Sequence, residues 1–289
     1  MDIKDIPVRI FGPGSQPESD DGQTLSYIDM PSTMATYQPP NVPGPEAVTG
    51  LGAARDAMSW LRDTLETCDT TTPPMLADLG ALDAENRELV NQILGEGEVS
   101  VRFDGAAKAR TQESVLAGVW RTLYFNDDNQ VCGDILEVAT VPHTARAADG
   151  DGQTVPSLPD ADEDANMSNA LAILSELRSH CARYDETGEP HSINLTLLPF
   201  SEAELEFLDT HLGRGPVDVL SRAYGKCQVI STATANLWWV RYYNSMDTLI
   251  LNMLEVVDVP NVVAAAVEDI NDSAERLKEI LEPYWPGNA

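Results

Sequence analysis

Two glutamates are the first residues whose type and position suggest chemistry. Glu137 and Glu255 each lie within an apolar run that predicts a β-strand, and the two positions correspond to one another. A buried carboxylate is costly unless it is paired, so we expect a partner for each, with Arg222 and Arg241 as the candidates for Glu255. If the two strands face each other, the carboxylates could serve acid/base catalysis. We favour the alternative, a salt-bridged structural glutamate.

The cysteines and histidines form no recognisable site in the sequence. No C-x-x-C pair occurs, and the spacings fit neither a zinc nor an iron–sulfur pattern. Cys132 and Cys227 are candidates for redox chemistry, but their neighbours give no argument for a lowered thiol pKa. Neither a Ser-His-Asp order nor an H-E-x-x-H helix is present. We therefore predict no catalytic residue, no metal ligand and no cofactor, and reduced thiols. The residues concerned are Cys68, Cys132, Cys181, Cys227, His143, His180, His191 and His211.

An aromatic segment suggests binding rather than catalysis. Trp238, Trp239, Tyr242 and Tyr243 alternate across a predicted strand, so one face of that strand must be core. The other face would expose Trp239 and Tyr243 with Arg241, a composition typical of interface hot spots. Core packing on both faces is the alternative, and the pattern leaves it open. The predicted partner-binding residues are Arg222, Trp239, Arg241, Tyr243, Met246 and Asp247.

A repeat positions these residues. The segment 90–142 matches 208–260 at a constant offset of 118 positions. Identical residues fall on apolar, glycine and proline positions, which favours an internal duplication over chance. The matched pairs include Leu94 with Leu212, Gly95 with Gly213, Gly97 with Gly215, Val101 with Val219, Trp120 with Trp238, Tyr124 with Tyr242, Asn126 with Asn244, and Pro142 with Pro260. Gly213-Arg214-Gly215 lacks the rest of a phosphate-loop fingerprint, so we interpret Gly213 as a helix C-cap.

Periodicity assigns elements to the repeat. Each copy is predicted to be an α-α-β-β-β unit, giving an α+β fold with an added C-terminal helix. The first copy is predicted to hold helices at 46–67 and 82–94 and strands at 99–103, 115–125 and 130–141; the second holds helices at 168–183 and 201–212 and strands from 217, at 238–243 and at 248–258. We predict a Pro-rich extended arm at 1–45, a first unit at 46–142, an acidic flexible linker at 143–167, and a second unit with the C-terminal helix at 168–289.

The charge excludes some partners. Forty-seven acidic and 18 basic residues give a formal charge of −29, so nucleic acid is an unfavourable partner and a basic peptide a favourable one. The alternative is that the charge serves only solubility. The sequence contains neither a run of about 18 apolar residues nor a secretory signal. We expect a cytoplasmic protein without membrane insertion.

Several motifs resemble one family. GRGPVDVLSRAYG, STATANLWWVRYYNSMDTLILNMLEVVDVP and EDINDSAERLKEIL resemble the hydrogenase expression/formation proteins of the HupH/HyaF/HoxQ type, and FGPGSQPES and YIDMPSTMATYQPPNVPGPE resemble the start of the same family. The resemblance implies an accessory, chaperone-like maturation factor for a membrane-bound uptake [NiFe] hydrogenase. Its implied partners are the iron–sulfur small-subunit precursor, which carries a twin-arginine export signal, and a thioredoxin-like accessory protein of the HupG/HyaE/HoxO type. The family motifs imply no catalytic residue.

Two other hypotheses stay open at this stage. One is a catalytic or cluster-handling factor that uses the two glutamates or the cysteines. The other is a scaffold that binds only other accessory proteins and never contacts the small subunit.

Overall fold

Ten strands and six α-helices make up the described part of the chain. The structure, a computed structural model, describes Gly44, Val48, residues 50–69, 71–146, Pro156, 167–222 and 225–285. The predicted arm at 1–45, apart from Gly44, and most of the predicted linker lie outside the described residues. The helices are α1 (Gly52–Leu65), α2 (Ala84–Leu94), α3 (His143–Arg146), α4 (Ser168–Thr187), α5 (Glu202–Leu212) and α6 (Val267–Leu281). The strands are β1 (Met75–Asp78), β2 (Val99–Asp104), β3 (Lys108–Glu113), β4 (Val119–Phe125), β5 (Val131–Val138), β6 (His191–Asn194), β7 (Val217–Ser221), β8 (Lys226–Ser231), β9 (Leu237–Tyr243) and β10 (Leu249–Val256).

All ten strands form one antiparallel sheet, which agrees with the predicted α+β class. Their order is β1-β5-β4-β3-β2-β7-β8-β9-β10-β6. β2 and β7 join the two halves of the sheet, with Val101 opposite Val219. The starts of β2, β3, β4 and β5 lie 118 positions before those of β7, β8, β9 and β10, and β1 starts 116 positions before β6. When these strands are equated in pairs, the strand order reads the same from either edge of the sheet.

The predicted three strands per unit were too few, because each half contributes five. β3 (KARTQE) is polar on most positions, and β8 (KCQVIS) has only a short apolar run, so neither gave a strand pattern. β1 and β6 contain four residues each, which is too short for a period to be read. The β10 strand has a neighbour on each side and lies second from the edge of the sheet.

Helix ends follow local sequence signals. Ser201 accepts a hydrogen bond from the Glu204 backbone N–H, and the Glu204 carboxylate accepts one from the Ser201 N–H, so the two residues form a capping box at the start of α5. Gly95 and Gly213 end α2 and α5 with φ values of 54° and 61°, in the region that glycine tolerates best. Among the described helices, none combines the length and the apolar composition that crossing a membrane requires.

Helices cover one face of the sheet in two separate layers. The first layer is α1, α2 and α6 over the first half, and the second is α4 and α5 over the second half. The expected C-terminal helix α6 therefore packs on the first copy, not on its own. Ile270 of α6 lies so close to Gly118 that a Cβ there would be 2.6 Å from the isoleucine side chain. Lys278 of α6 also pairs with Glu66 at the end of α1 at 2.9 Å.

The opposite face of the sheet carries a third apolar cluster. Trp120 and Trp238 are fully buried in it, under α3 and a 3₁₀ turn at Asn261–Val263. Both halves therefore share one core across the β2–β7 junction.

Candidate partner-binding surface

Exposed apolar side chains concentrate at one corner of the sheet. Five of the seven large hydrophobic residues that are exposed in the described part of the chain lie at the end of the β9–β10 hairpin or in the 3₁₀ turn beside β10. The Thr196 hydroxyl accepts the Asn252 backbone N–H at 2.7 Å, which holds that turn against β10. Exposed apolar residues on two neighbouring segments make this corner a candidate interaction site. We name these residues the hairpin-tip patch: Leu197, Leu198, Met246, Leu249 and Ile250.

The hairpin turn itself is well fixed. The Asn244 side-chain oxygen accepts the backbone N–H groups of Met246 and Thr248, each at 2.9 Å. Asp247 takes a positive φ of 57°, and its carboxylate pairs with Lys226 at 2.9 Å. Met246, which is 80% exposed, is therefore presented to solvent on an ordered turn. Met246 and Asp247, two of the predicted partner-binding residues, both lie in this exposed turn, and their role in binding stays a prediction.

The expectation of an exposed Trp239 was wrong. Its side chain is only 3% exposed, because α4 and α5 cover this face of β9. The indole N–H donates to the Asn252 side-chain oxygen, and the Arg241 guanidinium lies over the ring, 4.4 Å from its centroid. Arg241 also pairs with Asp209 of α5 at 3.5 Å. The alternative of core packing on both faces of the aromatic strand therefore holds for Trp238 and Trp239.

Two other predicted residues lie at the same end of the sheet as the patch. Tyr243 is partly buried, and Lys226 sits 5.3 Å from its ring centroid. Arg222 is exposed, one residue beyond the pair formed by Ser221 and Cys227, and its backbone N–H donates to the Glu98 carbonyl at 3.1 Å. β7 lies three strands away from β10 in the sheet. The backbone of Arg222 is therefore about 14 Å from β10, measured across the strands.

The two strand glutamates do not form a catalytic pair. Glu137 in β5 and Glu255 in β10 have six strands between them. Glu137 is fully buried and accepts hydrogen bonds from the His143 backbone N–H at 2.8 Å and from His143 Nδ1 at 2.5 Å. His143 Nε2 is in turn hydrogen-bonded to the Tyr124 hydroxyl. The partner of Glu137 lies six residues downstream, just after Pro142, and the sequence reading did not pair them.

Glu255 has a different environment. Arg241, one of its two candidate partners, lies on the opposite face of the sheet against Trp239 and Asp209. No ion pair of Glu255 occurs within the described part of the chain, and burial raises the pKa of its carboxyl group. The nearby Tyr242 hydroxyl is hydrogen-bonded to Cys227, and burial raises the pKa of Tyr242 to about 12. The raised pKa of Tyr242 keeps its hydroxyl group protonated near neutrality.

All four cysteines are free thiols, and three of them are buried. Burial raises the pKa of Cys181 to about 12 and that of Cys227 to about 11, and it also raises the pKa of Cys68. Cys132 is exposed near the tip of β5. Within the described ranges, no cysteine joins a group of three metal-ligating side chains.

The histidines are less scattered than the sequence suggested. His180 of α4 and His191 of β6 stack with ring centroids 3.4 Å apart, and Glu176 lies beside them. The only sequence signal was the spacing of Glu176 and His180, four residues apart on a helix. The ten residues between the two histidines hid their proximity.

A groove separates the two helix layers above the β2–β7 junction. Its cavity volume is ≈ 930 Å³, and it is lined from both halves. Arg102 pairs with Asp104 at 3.1 Å and reaches Asp218 of the other half at 3.5 Å. The groove has three more basic lining residues, Arg110, Arg121 and Lys226, and its acidic lining residues are Glu96 and Asp218. Because basic side chains outnumber acidic ones there, a basic peptide is poorly matched to this groove.

Comparisons with known proteins agree with the resemblance. The family model described as "HupH hydrogenase expression protein, C-terminal conserved region" matches residues 53–157 and 167–284. The chain is 42% identical over 283 residues to the hydrogenase expression/formation protein HoxQ of Cupriavidus necator, covering 98% of each chain. It is 41% identical over 278 residues to the hydrogenase expression/formation protein HupQ of Azotobacter chroococcum, covering 94% of this chain and 95% of the relative.

A solved structure was also found. The hydrogenase expression protein HupH from Thiobacillus denitrificans matches 40% of this chain and 94% of its own length, with 31% identity and a TM-score of 0.36. With two family-model segments that together span most of the sequence, and with relatives above 40% identity over almost all of it, the protein belongs to the HupH family of hydrogenase expression proteins.

Proposed function

We propose that this protein is an accessory factor of hydrogenase maturation that binds the iron–sulfur small-subunit precursor in the cytoplasm, before assembly and export. Support for the hydrogenase role comes from the relatives, whose names describe hydrogenase expression and formation. Support for a binding role comes from the hairpin-tip patch. The proposed mode of action is to shield client surface, without a chemical step.

A comparison of the β4–β5 hairpin with the β9–β10 hairpin provides the observation that carries the proposal. In the first half the β4–β5 turn has Asp128 at the position that Met246 occupies in the second half. Both turns have the same backbone hydrogen bond, from Asn126 N to Gln130 O and from Asn244 N to Thr248 O. An acidic residue is therefore compatible with the fold of this hairpin, so the apolar Met246 is not needed for folding. Exposed apolar area without a folding role favours a binding partner.

The electrostatics favour an apolar contact over a charged clamp. The acidic chain attracts a basic twin-arginine segment at long range, but salt screens such attraction over about 8–10 Å. The groove between the helix layers is lined by more basic than acidic side chains, so it is a poor seat for that segment. Docking of the mature part of the client on the hairpin-tip patch, assisted by long-range steering, is the arrangement we propose.

Binding of the purified protein to the small-subunit precursor tests the proposal. The precursor is used with and without its twin-arginine segment, at low and high salt. We expect binding that survives high salt and does not need the segment. The double variant Met246→Asp with Ile250→Thr is expected to weaken it at least about tenfold, the loss expected when apolar anchors of an interface are removed. Val131→Thr, on the equivalent hairpin and 54% exposed in the wild type, is the matched control.

Three outcomes would contradict the proposal. Equal binding by the wild type and the double variant would remove the patch from the interface. Binding that needs the twin-arginine segment and disappears at high salt would instead support an electrostatic clamp. Binding to the thioredoxin-like accessory protein, but never to the small subunit, would establish the scaffold alternative.

We also infer that the two halves descend from one duplicated unit. Hydrogen bonds that recur at the offset of 118 support this inference. Gly97 N donates to Glu113 O as Gly215 N does to Ser231 O, and Ala139 N donates to Gly118 O as Val257 N does to Asn236 O. The two separate segments of the family match are consistent with it. Only the second half carries the apolar hairpin, so we assign client binding to that half.

A further inference from the structure

Three metal-ligating side chains meet at the edge of the second half. Glu176 and His180 lie one turn apart on α4, and His191 begins the edge strand β6. Each offers a ligand atom within 4.8 Å of those of the other two. His191 Nε2 lies 2.9 Å from the Glu176 carboxylate, and the two imidazole rings stack at an angle of 5°. Within the described residues, no other group of this kind was found.

The fold holds the backbone of all three residues in place. Leu177 and Cys181, which follow Glu176 and His180 directly, are buried against the sheet. Gly188 ends α4 in the left-handed region, with a φ of 67°, and turns the chain back toward the sheet. His191 is then fixed opposite Val256 of β10. Rigid supporting elements leave only the side-chain torsions free, which is the condition for a defined ligand set.

The ligand chemistry selects a class of ion. Two imidazole nitrogens and one carboxylate oxygen are borderline to hard donors, and no thiolate is among them. Such three-residue sets hold Zn²⁺ and related divalent ions at about 2.0–2.2 Å and leave coordination positions for water or another ligand. The affinity of such a site for divalent first-row ions generally rises from Mn²⁺ through Ni²⁺ to Cu²⁺ and is lower again for Zn²⁺.

Coordination requires a modest change of side-chain torsions. Parallel stacked rings direct their nitrogen lone pairs along parallel planes, so at least one imidazole must rotate before both nitrogens point at the same ion. The second torsion angle of histidine has a broad energy minimum, which makes that rotation inexpensive. Glu176 is exposed and both histidines are partly exposed, so an ion can enter from solvent.

We propose that Glu176, His180 and His191 form a binding site for one divalent transition-metal ion of the Zn²⁺ or Ni²⁺ class. The ion is bound by one carboxylate oxygen and one nitrogen of each imidazole. It links the C-terminal half of α4 to the edge strand β6. This inference is independent of the client-binding role proposed above.

Isothermal titration of the tag-free, full-length protein with Zn²⁺ alone and Ni²⁺ alone tests the proposal. We expect one equivalent of at least one ion to bind. His180→Ala and His191→Ala should each weaken binding at least about a hundredfold, since even outer-shell changes cost 10–100-fold. Glu176→Gln should weaken it about tenfold or more. His211→Ala is the control, because His211 lies on α5 outside the cluster. The metal affinity of this variant should equal that of the wild type.

Two readouts separate a lost ligand from a lost fold. Bound Co²⁺ gives visible d–d absorption in the wild type, which should be absent in both histidine variants. The metal should also raise the melting temperature of the wild type but not of a folded His191→Ala variant. Failure of the wild type to bind one equivalent would overturn the proposal. Equal affinity of the wild type and a folded His180→Ala, His191→Ala double variant would overturn it as well.

Discussion

Trp120 and Trp238, 118 positions apart, donate their indole N–H groups to the carbonyls of Ala139 and Val257, at 2.8 and 3.0 Å. The two acceptors are also 118 positions apart. Both rings are fully buried in the same cluster, on the face of the sheet that α3 covers. The same hydrogen bond therefore joins β4 to the residue that follows β5 in the first half, and β9 to the residue that follows β10 in the second.

Removing either indole N–H should destabilise the fold to a similar extent. Trp120→Phe and Trp238→Phe each leave a buried carbonyl without its donor, which typically costs about 1–3 kcal/mol. The smaller ring adds a cavity cost of the same sign. Urea unfolding measures the loss, with the partly exposed Trp60→Phe as the control. A loss confined to one of the two variants would contradict their equivalence.

The C-terminal helix should stabilise the first half rather than the second. Ile270 is fully buried in the cluster that α1 and α2 form over the first half. Ile270→Ala is expected to lower the free energy of unfolding by about 2–5 kcal/mol, because a buried isoleucine leaves a cavity. Hydrogen exchange should show the largest loss of protection in α1, which packs against α6. A loss confined to α4 and α5 would show that α6 does not brace the first half.

One buried acid should make stability depend on pH. Burial raises the pKa of Glu113 from an ordinary value of 4.5 to about 7, although the Val99 and Gly118 N–H groups donate to its carboxylate. Since the folded pKa is the higher one, the contribution of this group is fully present below about pH 4.5 and is lost as the pH rises through about 7. This rise in the pKa of Glu113 bounds the effect on the free energy of unfolding at about 3 kcal/mol.

The variant Glu113→Gln isolates that effect. Glutamine cannot ionise, so the free energy of unfolding of the wild type minus that of the variant should fall between about pH 5 and about pH 8. Urea titrations of the wild type and the variant at about pH 5 and about pH 8 measure this difference. If the difference in free energy of unfolding is the same at both pH values, Glu113 does not titrate between them.

The hairpin-tip patch should affect binding without affecting stability. Met246 is 80% exposed and Ile250 is 55% exposed, so Met246→Asp with Ile250→Thr removes little buried area. We expect the free energy of unfolding to change by no more than about 0.5 kcal/mol per site, as is usual for surface substitutions. Thermal unfolding and the client-binding assay should be run on the same preparation. A large stability loss would mean that the patch serves the fold rather than a partner.

Much of the fold was predictable from local pattern. The helices α1, α2, α4, α5 and α6 follow apolar periodicity, and Ser201, Gly95 and Gly213 mark helix ends because a cap depends only on neighbouring residues. The hairpin turn at Asn244–Asp247 was predicted from turn chemistry for the same reason. The polar strands β3 and β8 were missed, since their stability comes from the strands on either side.

The candidate site was predictable only in part. Met246 and Asp247 were predicted as partner-binding residues because they follow the aromatic strand, and both are exposed in the hairpin turn. Trp239 was not assignable, because alternation in β9 separates two faces without showing which of them a helix covers. Its burial is decided by α4 and α5, which come earlier in the chain and contact β9 only in the folded protein.

By itself, the sequence determined the α+β class and the family, and it indicated most of the helices. The tertiary structure alone decided that the halves share one sheet, that α6 crosses to the first half, that Glu137 bonds to His143 rather than facing Glu255, and that His180 meets His191. The reason is physical. Periodicity and caps record interactions between residues near in sequence, whereas each of these features is a contact fixed by sheet order and helix packing.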